Sequence, residues 1–288
     1  MELLQSERFI NESPAEVYAT LLDEGDFLCS PRTMYRLLSA ETEVREQRQS
    51  SRNAKSAKPT VMTTAPNQAW SWDITKLPAC RWGYYYFYVV IDLYSRMIVG
   101  WTVAETESAK LAEKLLNTAC WEQSIEPNQL LIHSDRGSPM KSKQVSQLLV
   151  DLGVAKSLSR PHVSNDNAFS EANFKTLKSR PQFPDSFESL AEAEAYLGVL
   201  VEWYNYKHKH GGIAHMTPVT VHLGKAAECL RFRQSVLSKA FEAHPERFVK
   251  GMPTVRQLST VVGINLPKDI ETQVIATIYD CNATVGFR

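Results

Sequence analysis

The sequence predicts an α/β protein in which helices cover the faces of a mixed β-sheet. Two observations carry this prediction: three strand-like segments follow one another, and amphipathic helices then alternate with short buried strands. Hydrophobic residues make up 43% of the 288 residues and charged residues 22%, as in ordinary globular proteins. No apolar run approaches the roughly 18 residues of a membrane helix, so we expect no membrane association.

The first 44 residues are predicted to form a small helical region. Ser followed by Pro, at residues 13–14 and 30–31, is typical of helix starts. Two helices joined by a short turn fit either a DNA-binding helix-turn-helix or a plain helical hairpin. Residues 45–65 follow as a basic linker, and residues 45–58 carry five basic residues and one acid, a net charge of +5 − 1 = +4. This composition fits a solvated tether or one that also contacts phosphates.

Residues 66–224 contain the segments that predict the sheet. AWSWDITKL, GYYYFYVVIDLYS and RMIVGWTVA predict three antiparallel strands, and the short segments QLLIHS and VAKSL predict two more. Helical patterns precede and follow these last two strands. RPHVSNDNAFSEANFKTLK predicts a helix that stops before Pro181, and a longer helix closes the region. The order predicts a mixed five-stranded sheet flanked by helices, and residues 225–288 predict a C-terminal helix followed by an extended tail.

Three acidic residues lie where strand ends and a helix start can meet. Asp73 lies within the first strand, Asp135 directly follows the fourth, and Glu171 lies in the first turns of the helix after the fifth. Intervals of 61 and 35 residues separate them. A single Asp at a strand end is usually a turn former, and Asp92 is given that structural role.

Five segments in this order resemble the DDE transposases and integrases of the retroviral integrase superfamily. The resemblance is close to transposases of bacterial insertion sequences, in particular those of insertion-sequence family three. The segments are WSWDIT, YYYFYVVIDLYSRMIVGW, LIHSDRGSPM, RPHVSNDNAFSEANFKTLK and WYNYKHKHGGIAHMTPVTVH. The resemblance implies a ribonuclease H-like fold and an integrase-type catalytic core over residues 66–224. It also implies that Asp73, Asp135 and Glu171 are catalytic and hold two Mg²⁺ ions, for which Mn²⁺ can substitute.

The physical chemistry agrees with this implied metal site. Transfer of a phosphodiester develops charge on the phosphorus and on the entering and leaving oxygens, which two divalent ions roughly 3.5–4 Å apart neutralise. Mg²⁺ prefers carboxylate oxygens, with water and substrate phosphates as its other ligands.

The helix that carries Glu171 also carries predicted DNA contacts. At ~100° per residue, Phe169, Ala172, Asn173, Thr176 and Leu177 share a side that is expected to pack on the sheet. Glu171, Asn167, Lys175 and Lys178 lie on the opposite side. The resemblance implies that the two lysines face a DNA end, and simple i,i+4 pairing with Glu171 is the alternative.

Further basic residues are candidates for DNA contact. Arg136 fits either a phosphate contact or an ion pair with an acid. Lys207 and His210 belong to a short basic run after the last helix, which fits DNA contact or a solvated helix end.

The resemblance implies a transposase that cleaves DNA and transfers strands at insertion-sequence ends with Mg²⁺. The alternatives are a stand-alone ribonuclease H-like nuclease and a domesticated DNA-binding regulator without catalysis. Expected partners are the terminal inverted repeats, target DNA, further copies of the chain on DNA, and a helix-turn-helix protein from an upstream reading frame. Five unpaired cysteines favour a reducing compartment. We expect a cytoplasmic protein that associates with the nucleoid when bound to DNA.

Overall fold

The computed structural model describes residues 3–4, 6, 8–9, 12–39, 59–80, 83–137, 139–160, 163–267 and 270. Residues 45–58 of the predicted basic linker, 45–65, and the end of the predicted tail, 271–288, lie outside the described residues, and the last part of that linker contains a short strand. The helices are α1 (Pro14–Glu24), α2 (Pro31–Ser39), α3 (Ala109–Glu122), α4 (Lys143–Asp151), α5 (Ala168–Lys178), α6 (Leu190–Tyr206), α7 (Pro218–His222) and α8 (Ala226–Ala243). The strands are β1 (Val61–Thr63), β2 (Ala69–Pro78), β3 (Tyr84–Asp92), β4 (Ile98–Ala104), β5 (Leu131–Ser134), β6 (Ala155–Leu158) and β7 (Val262–Ile264).

The chain folds into two compact units, and the larger consists of residues 56–207 and 260–270. Its main sheet has the order β4-β3-β2-β5-β6. The pairs β2–β3 and β3–β4 are antiparallel, whereas β2–β5 and β5–β6 are parallel. Parallel neighbours require crossover connections, and α3 and α4 lie in those connections. This confirms the predicted five-stranded mixed sheet and its ribonuclease H-like arrangement.

Alternation of side chains along the central strands creates the two layers of core. Trp70 and Trp72 of β2 point to one face, where they form a cluster with residues of α3 and α4. Leu77 of the same strand points to the other face and forms a cluster with Phe174 of α5 and Leu197 of α6. The two tryptophans are at most 1% exposed and therefore belong to the core.

Asp92 has the structural role that was predicted for it. Its carboxylate is fully buried and accepts hydrogen bonds from the backbone N–H groups of Asn67 and Ser95, both at 2.7 Å. The Ser95 hydroxyl adds a third bond at 2.7 Å. These donors satisfy the buried carboxylate and fix the turn between β3 and β4.

The larger unit also includes a segment from far along the chain. β7 pairs antiparallel with β1, with Val61 opposite Ile264. Residues 260–270 therefore lie in this unit, whereas residues 208–224 lie in the smaller one. The compact units thus differ from the predicted boundaries at 66 and 224, because pairing between segments two hundred residues apart leaves no local signal.

The smaller unit contains the described parts of residues 1–55 and 208–259. A capping box begins α1, because the Ser13 hydroxyl accepts from the Glu16 N–H and the Glu16 carboxylate accepts from the Ser13 N–H. Asp23, near the end of α1, pairs with Lys209 and with the buried Arg233 of α8. No described helix, in either unit, is both long and apolar enough to cross a bilayer.

Candidate active site

The three predicted acids line one open cleft of about 990 Å³ in the larger unit. Parallel pairing places Trp72 opposite Ser134, so the next residues, Asp73 and Asp135, emerge at neighbouring positions of the sheet. Glu171 lies in the first turn of α5 and is exposed to solvent. Sheet register and helix packing therefore bring the three carboxylates to the same cleft.

Asp73 is the most strongly perturbed of the three. Its Oδ1 accepts from the backbone N–H of Ile74 and its Oδ2 from the side-chain amide of Asn167, both at 2.7 Å. Burial raises the pKa of Asp73 to about 7, and the charges of Asp135 and Glu171 add to the rise while the two hydrogen bonds oppose it. Without a cation, Asp73 is therefore partly protonated at neutral pH.

Asp135 is held by the turn that follows it. The backbone N–H of Gly137 donates to Asp135 Oδ1 at 2.8 Å. A Cβ at position 137 would lie 2.7 Å from the sulfur of Met140 and 3.1 Å from Asp135 Oδ1. The missing side chain of Gly137 thus leaves room for this close approach to the carboxylate.

The donor set fits a hard divalent cation. The three carboxylates supply oxygen ligands, and the described ion pairs include none that neutralises any of them. Within the described part of the chain, no three His, Cys, Asp or Glu side chains lie close enough together to form a ready-made metal cluster. Mg²⁺ needs only one or two carboxylates beside water and substrate phosphates, and it favours the ionised form of a carboxyl such as Asp73.

The packed side of α5 differs from the predicted one. The buried residues are Ser170, Asn173, Phe174 and Leu177, whereas Ala172 is exposed. The buried side is rotated by roughly 80° at ~100° per residue, because Phe174, not Phe169, inserts into the main core. Phe169 lies instead in a small cluster with Val61 and beneath the guanidinium of Arg96, 4.1 Å from the ring centre. Glu171 remains outside the packed side.

Two family models, both described as Integrase core domain, match residues 63–164 and 152–218, which together exceed half of the chain. The chain belongs to the integrase core family. Asp73 and Asp135 lie within the first match and Glu171 within the second. The integrase core identified by these matches includes the whole five-stranded sheet.

Curated relatives extend this finding. The chain is 35% identical to the transposase for insertion sequence element IS904 of Lactococcus lactis, over 54% of this chain and 61% of that protein. It is 31% identical to transposase InsF for insertion sequence IS3A of Escherichia coli, over 54% of each. The matches thus span a little over half the length of these relatives.

Two solved structures share part of the chain trace. A chain of the simian T-cell lymphotropic virus intasome, solved in complex with PP2A regulatory subunit B56 gamma, has a TM-score of 0.45 at 18% identity, over 73% of this chain and 74% of that one. The catalytic core domain of BIV integrase has a TM-score of 0.38 at 20% identity, over 56% and 97%.

The two lysines of α5 occupy different environments in the integrase core. Lys175 is exposed. Lys178 is half-buried, and its Nζ donates to Thr75 Oγ1 at 2.7 Å and to the Lys76 carbonyl at 2.9 Å. The described ion pairs include none between Glu171 and either lysine, so the alternative of simple i,i+4 pairing finds no support.

The other predicted DNA contacts are placed as follows. Asn167 lines the cleft, but it is largely buried and its amide is bonded to Asp73. Arg136 also lines the cleft, and its Nε donates to the Ser159 carbonyl at 2.9 Å. Lys207 is exposed at the end of α6, whereas His210 belongs to the smaller unit and accepts from the Gly212 N–H.

Sequence reasoning missed a buried ion pair beside the cleft. The N-cap residue of α5 is Asn167, and no side-chain cap bond forms there. The Asp166 carboxylate is fully buried and accepts two hydrogen bonds from the guanidinium of Arg160, at 2.8 and 2.9 Å. Arg160 and Lys141 also line the cleft. The sequence around Arg160 and Lys141 has no pattern that predicts a place for these residues in the cleft.

His133 has a structural role beside the cleft. Its ring is fully buried, with Nδ1 bonded to the Ser157 hydroxyl at 3.0 Å. Nε2 lies 2.9 Å from the Asp166 carbonyl and 3.1 Å from the Ser159 hydroxyl. Burial lowers the pKa of His133, in keeping with a neutral ring.

Proposed function

We propose that this chain is a transposase that cleaves DNA at the ends of an insertion sequence and joins those ends to new DNA. One observation carries the proposal: Asp73, Asp135 and Glu171 line one cleft, and none has a cationic partner among the described ion pairs. Carboxylates left in this state suit a site whose positive charge comes from outside the protein. The similarity to insertion-sequence transposases supports the same reading.

We propose two Mg²⁺ ions, replaceable by Mn²⁺, as the source of that charge. Asp73, Asp135 and Glu171 would hold them. When bound, such ions neutralise charge at the phosphorus and activate the attacking oxygen. The chain itself orients the ligands, because Asn167 and the Ile74 N–H fix Asp73 and the Gly137 N–H fixes Asp135.

The proposed chemistry consists of two in-line displacements. In the first, water attacks a phosphodiester at the element end, and a new P–O bond forms as the bond to the 3′-oxygen breaks. The released 3′-OH then attacks a phosphodiester of the target, and the target's own 3′-oxygen leaves. Neither displacement needs a covalent bond to the protein.

The proposed partners are the terminal inverted repeats and the target DNA. Lys175 and Arg136 would contact backbone phosphates beside the cleft, and Lys178 would do so from the end of α5, where its Nζ is bonded to β2. Lys207 and His210 are proposed as outer contacts, and Asn167 as a contact that chiefly orients Asp73. Self-association on DNA and a helix-turn-helix protein from an upstream frame complete the proposal.

The test uses the purified chain, DNA fragments carrying its own element ends, and Mg²⁺. We expect joined products from the wild type and at least a 1000-fold loss in Glu171→Gln, because one metal ligand loses its charge. Glu194→Gln, an exposed substitution on α6, is the matched control and should join DNA normally.

The alternatives give different products. Cutting without joining would support the stand-alone nuclease. DNA binding without cutting would support the non-catalytic regulator. Joining that persists in Glu171→Gln would refute the assignment of the active site.

A further inference from the structure

The segment Val262–Asn265 builds a support for the active site from outside the residues that the family models match. Those models end at residue 218. β7 approaches β1 so closely that a Cβ at Gly263 would lie 2.0 Å from the Val61 carbonyl oxygen. Ile264 is 3% exposed and packs with Val61, Ala69 and Leu93. The contact is thus encoded by specific residues, since glycine alone permits that approach.

Asn265 directs its amide into the loop before α5. Its backbone φ is 53°, a left-handed conformation that Asn tolerates better than most residues. Nδ2 donates to Asp166 Oδ1 at 2.7 Å and to the Pro59 carbonyl at 3.0 Å. Both amide hydrogens therefore have acceptors, and Asp166 is bound by Arg160 on one side and by Asn265 on the other.

Asp166 is joined to three parts of the catalytic cleft. It directly precedes Asn167, whose amide holds Asp73 Oδ2 at 2.7 Å. Its carbonyl oxygen lies 2.9 Å from His133 Nε2 in β5, the strand that leads to Asp135. Its ion-pair partner Arg160 lines the cleft. A displacement of Asp166 would therefore reach both catalytic aspartates.

We propose that Asn265 is a positioning residue of the active site, which through Asp166 fixes Asn167 on Asp73. This inference rests on the proposed function, because it concerns how Asp73 is presented to metal and DNA. Hydrogen-bond partners that orient metal ligands typically change metal affinity or activity 10–100-fold when they are removed. Asn265 reaches Asp73 only through Asp166 and Asn167, so we expect a change in metal affinity or activity of about 10-fold.

The first experiment needs no DNA. Hydrogen exchange of the full-length, metal-free chain would compare the wild type with Asn265→Gly, which keeps the left-handed backbone and removes only the amide. Thr260→Ala, an exposed change in the same segment, is the matched control. We expect faster exchange over residues 163–171 in Asn265→Gly alone, with β2 and β3 unchanged. Unchanged exchange over residues 163–171 would overturn the proposal, whether or not the wild type joins DNA.

The second experiment separates positioning from general stability. In strand joining, Asn265→Gly should raise the half-saturating Mg²⁺ concentration about 10-fold and leave the KM for DNA unchanged. Combining it with Asn167→Ala should add little further loss, because both act on Asp73. Independent, multiplying losses would show a merely structural role. Asn265→Ser retains a hydrogen-bond donor and should show a smaller rise in the half-saturating Mg²⁺ concentration than Asn265→Gly. It replaces Asn265→Gly if that variant fails to fold.

If the wild type joins no DNA, the proposed function fails, but the exchange result still decides the placement of the loop. The two failures are therefore distinguishable.

Discussion

The larger unit contains two aspartates in opposite electrostatic environments, the buried Asp166 and the partly buried Asp73. Burial would raise the pKa of Asp166, but hydrogen bonds from Arg160 and Asn265 hold that pKa well below its ordinary range. Burial also raises the pKa of Asp73, and its donors are only a backbone N–H and an amide, so its pKa stays at about 7. The difference separates a structural carboxylate, which the chain itself neutralises, from one that the proposed Mg²⁺ ions would neutralise.

The largest expected effect comes from removing the charge of Asp166, which the chain itself neutralises. Asp166→Asn leaves Arg160 without its ionic partner in a largely buried site, so we expect a loss of about 3 kcal/mol in the free energy of unfolding at pH 7. Urea denaturation measures this loss. The exposed Asp151→Asn serves as a control and should change stability by less than about 0.5 kcal/mol. A similarly small change in Asp166→Asn would contradict the structural role.

The opposite result is expected for Asp73. Because its folded pKa lies above the unfolded value of ~3.9, the folded state holds more protons between these values, and stability falls as pH rises from about 4 to 7. Asp73→Asn removes this loss. Without metal at pH 8 it should stabilise the protein by about 2 kcal/mol, allowing for solvent screening, and by almost nothing near pH 4.

Thermal unfolding across that pH range checks the Asp73 prediction. Asp185→Asn, an exposed substitution in the same unit, is the control. Destabilisation by Asp73→Asn at pH 8 would remove the distinction between the two aspartates.

Stabilisation by Mg²⁺ is a further test of the difference between Asp73 and Asp166. If Asp73 awaits a cation, Mg²⁺ at ten times its Kd should stabilise the wild type by about 1.4 kcal/mol. Asp73→Asn should lose most of this gain, whereas Glu194→Gln should keep it. Calorimetry with and without Mg²⁺ measures the difference. An equal gain in wild type and Asp73→Asn would place the metal elsewhere.

The smallest expected effect concerns the two lysines of α5. Lys175→Ala should weaken binding to DNA by roughly 1 kcal/mol and reduce the salt dependence of that binding by about one charge. Lys178→Ala should also reduce stability by about 1 kcal/mol, because it loses two hydrogen bonds to β2. Fluorescence anisotropy at several salt concentrations, together with urea denaturation, separates the two roles.

The elements that position the proposed catalytic acids were predictable because their signals are local. The residue pattern of AWSWDITKL predicted a strand, and the short segments QLLIHS and VAKSL predicted its neighbours. The predicted buried face of α5 was wrong. Either Phe169 or Phe174 could occupy the buried position, and only the packing of the core shows that Phe174 does. The pairing of β7 and the ion pair of Asp166 involve residues too distant or too ordinary to leave a pattern.

The close approach at Gly263 has a consequence for when the cleft becomes complete. Asn265 follows Asp166 by 99 residues. At ~5–20 residues per second, the ribosome adds those residues over roughly 5 to 20 s. During that interval a nascent chain already contains Asp73, Asp135 and Glu171 but not yet Asn265. If Asn265 positions the loop before α5 as proposed, the geometry of the proposed site is complete only after synthesis has passed residue 265.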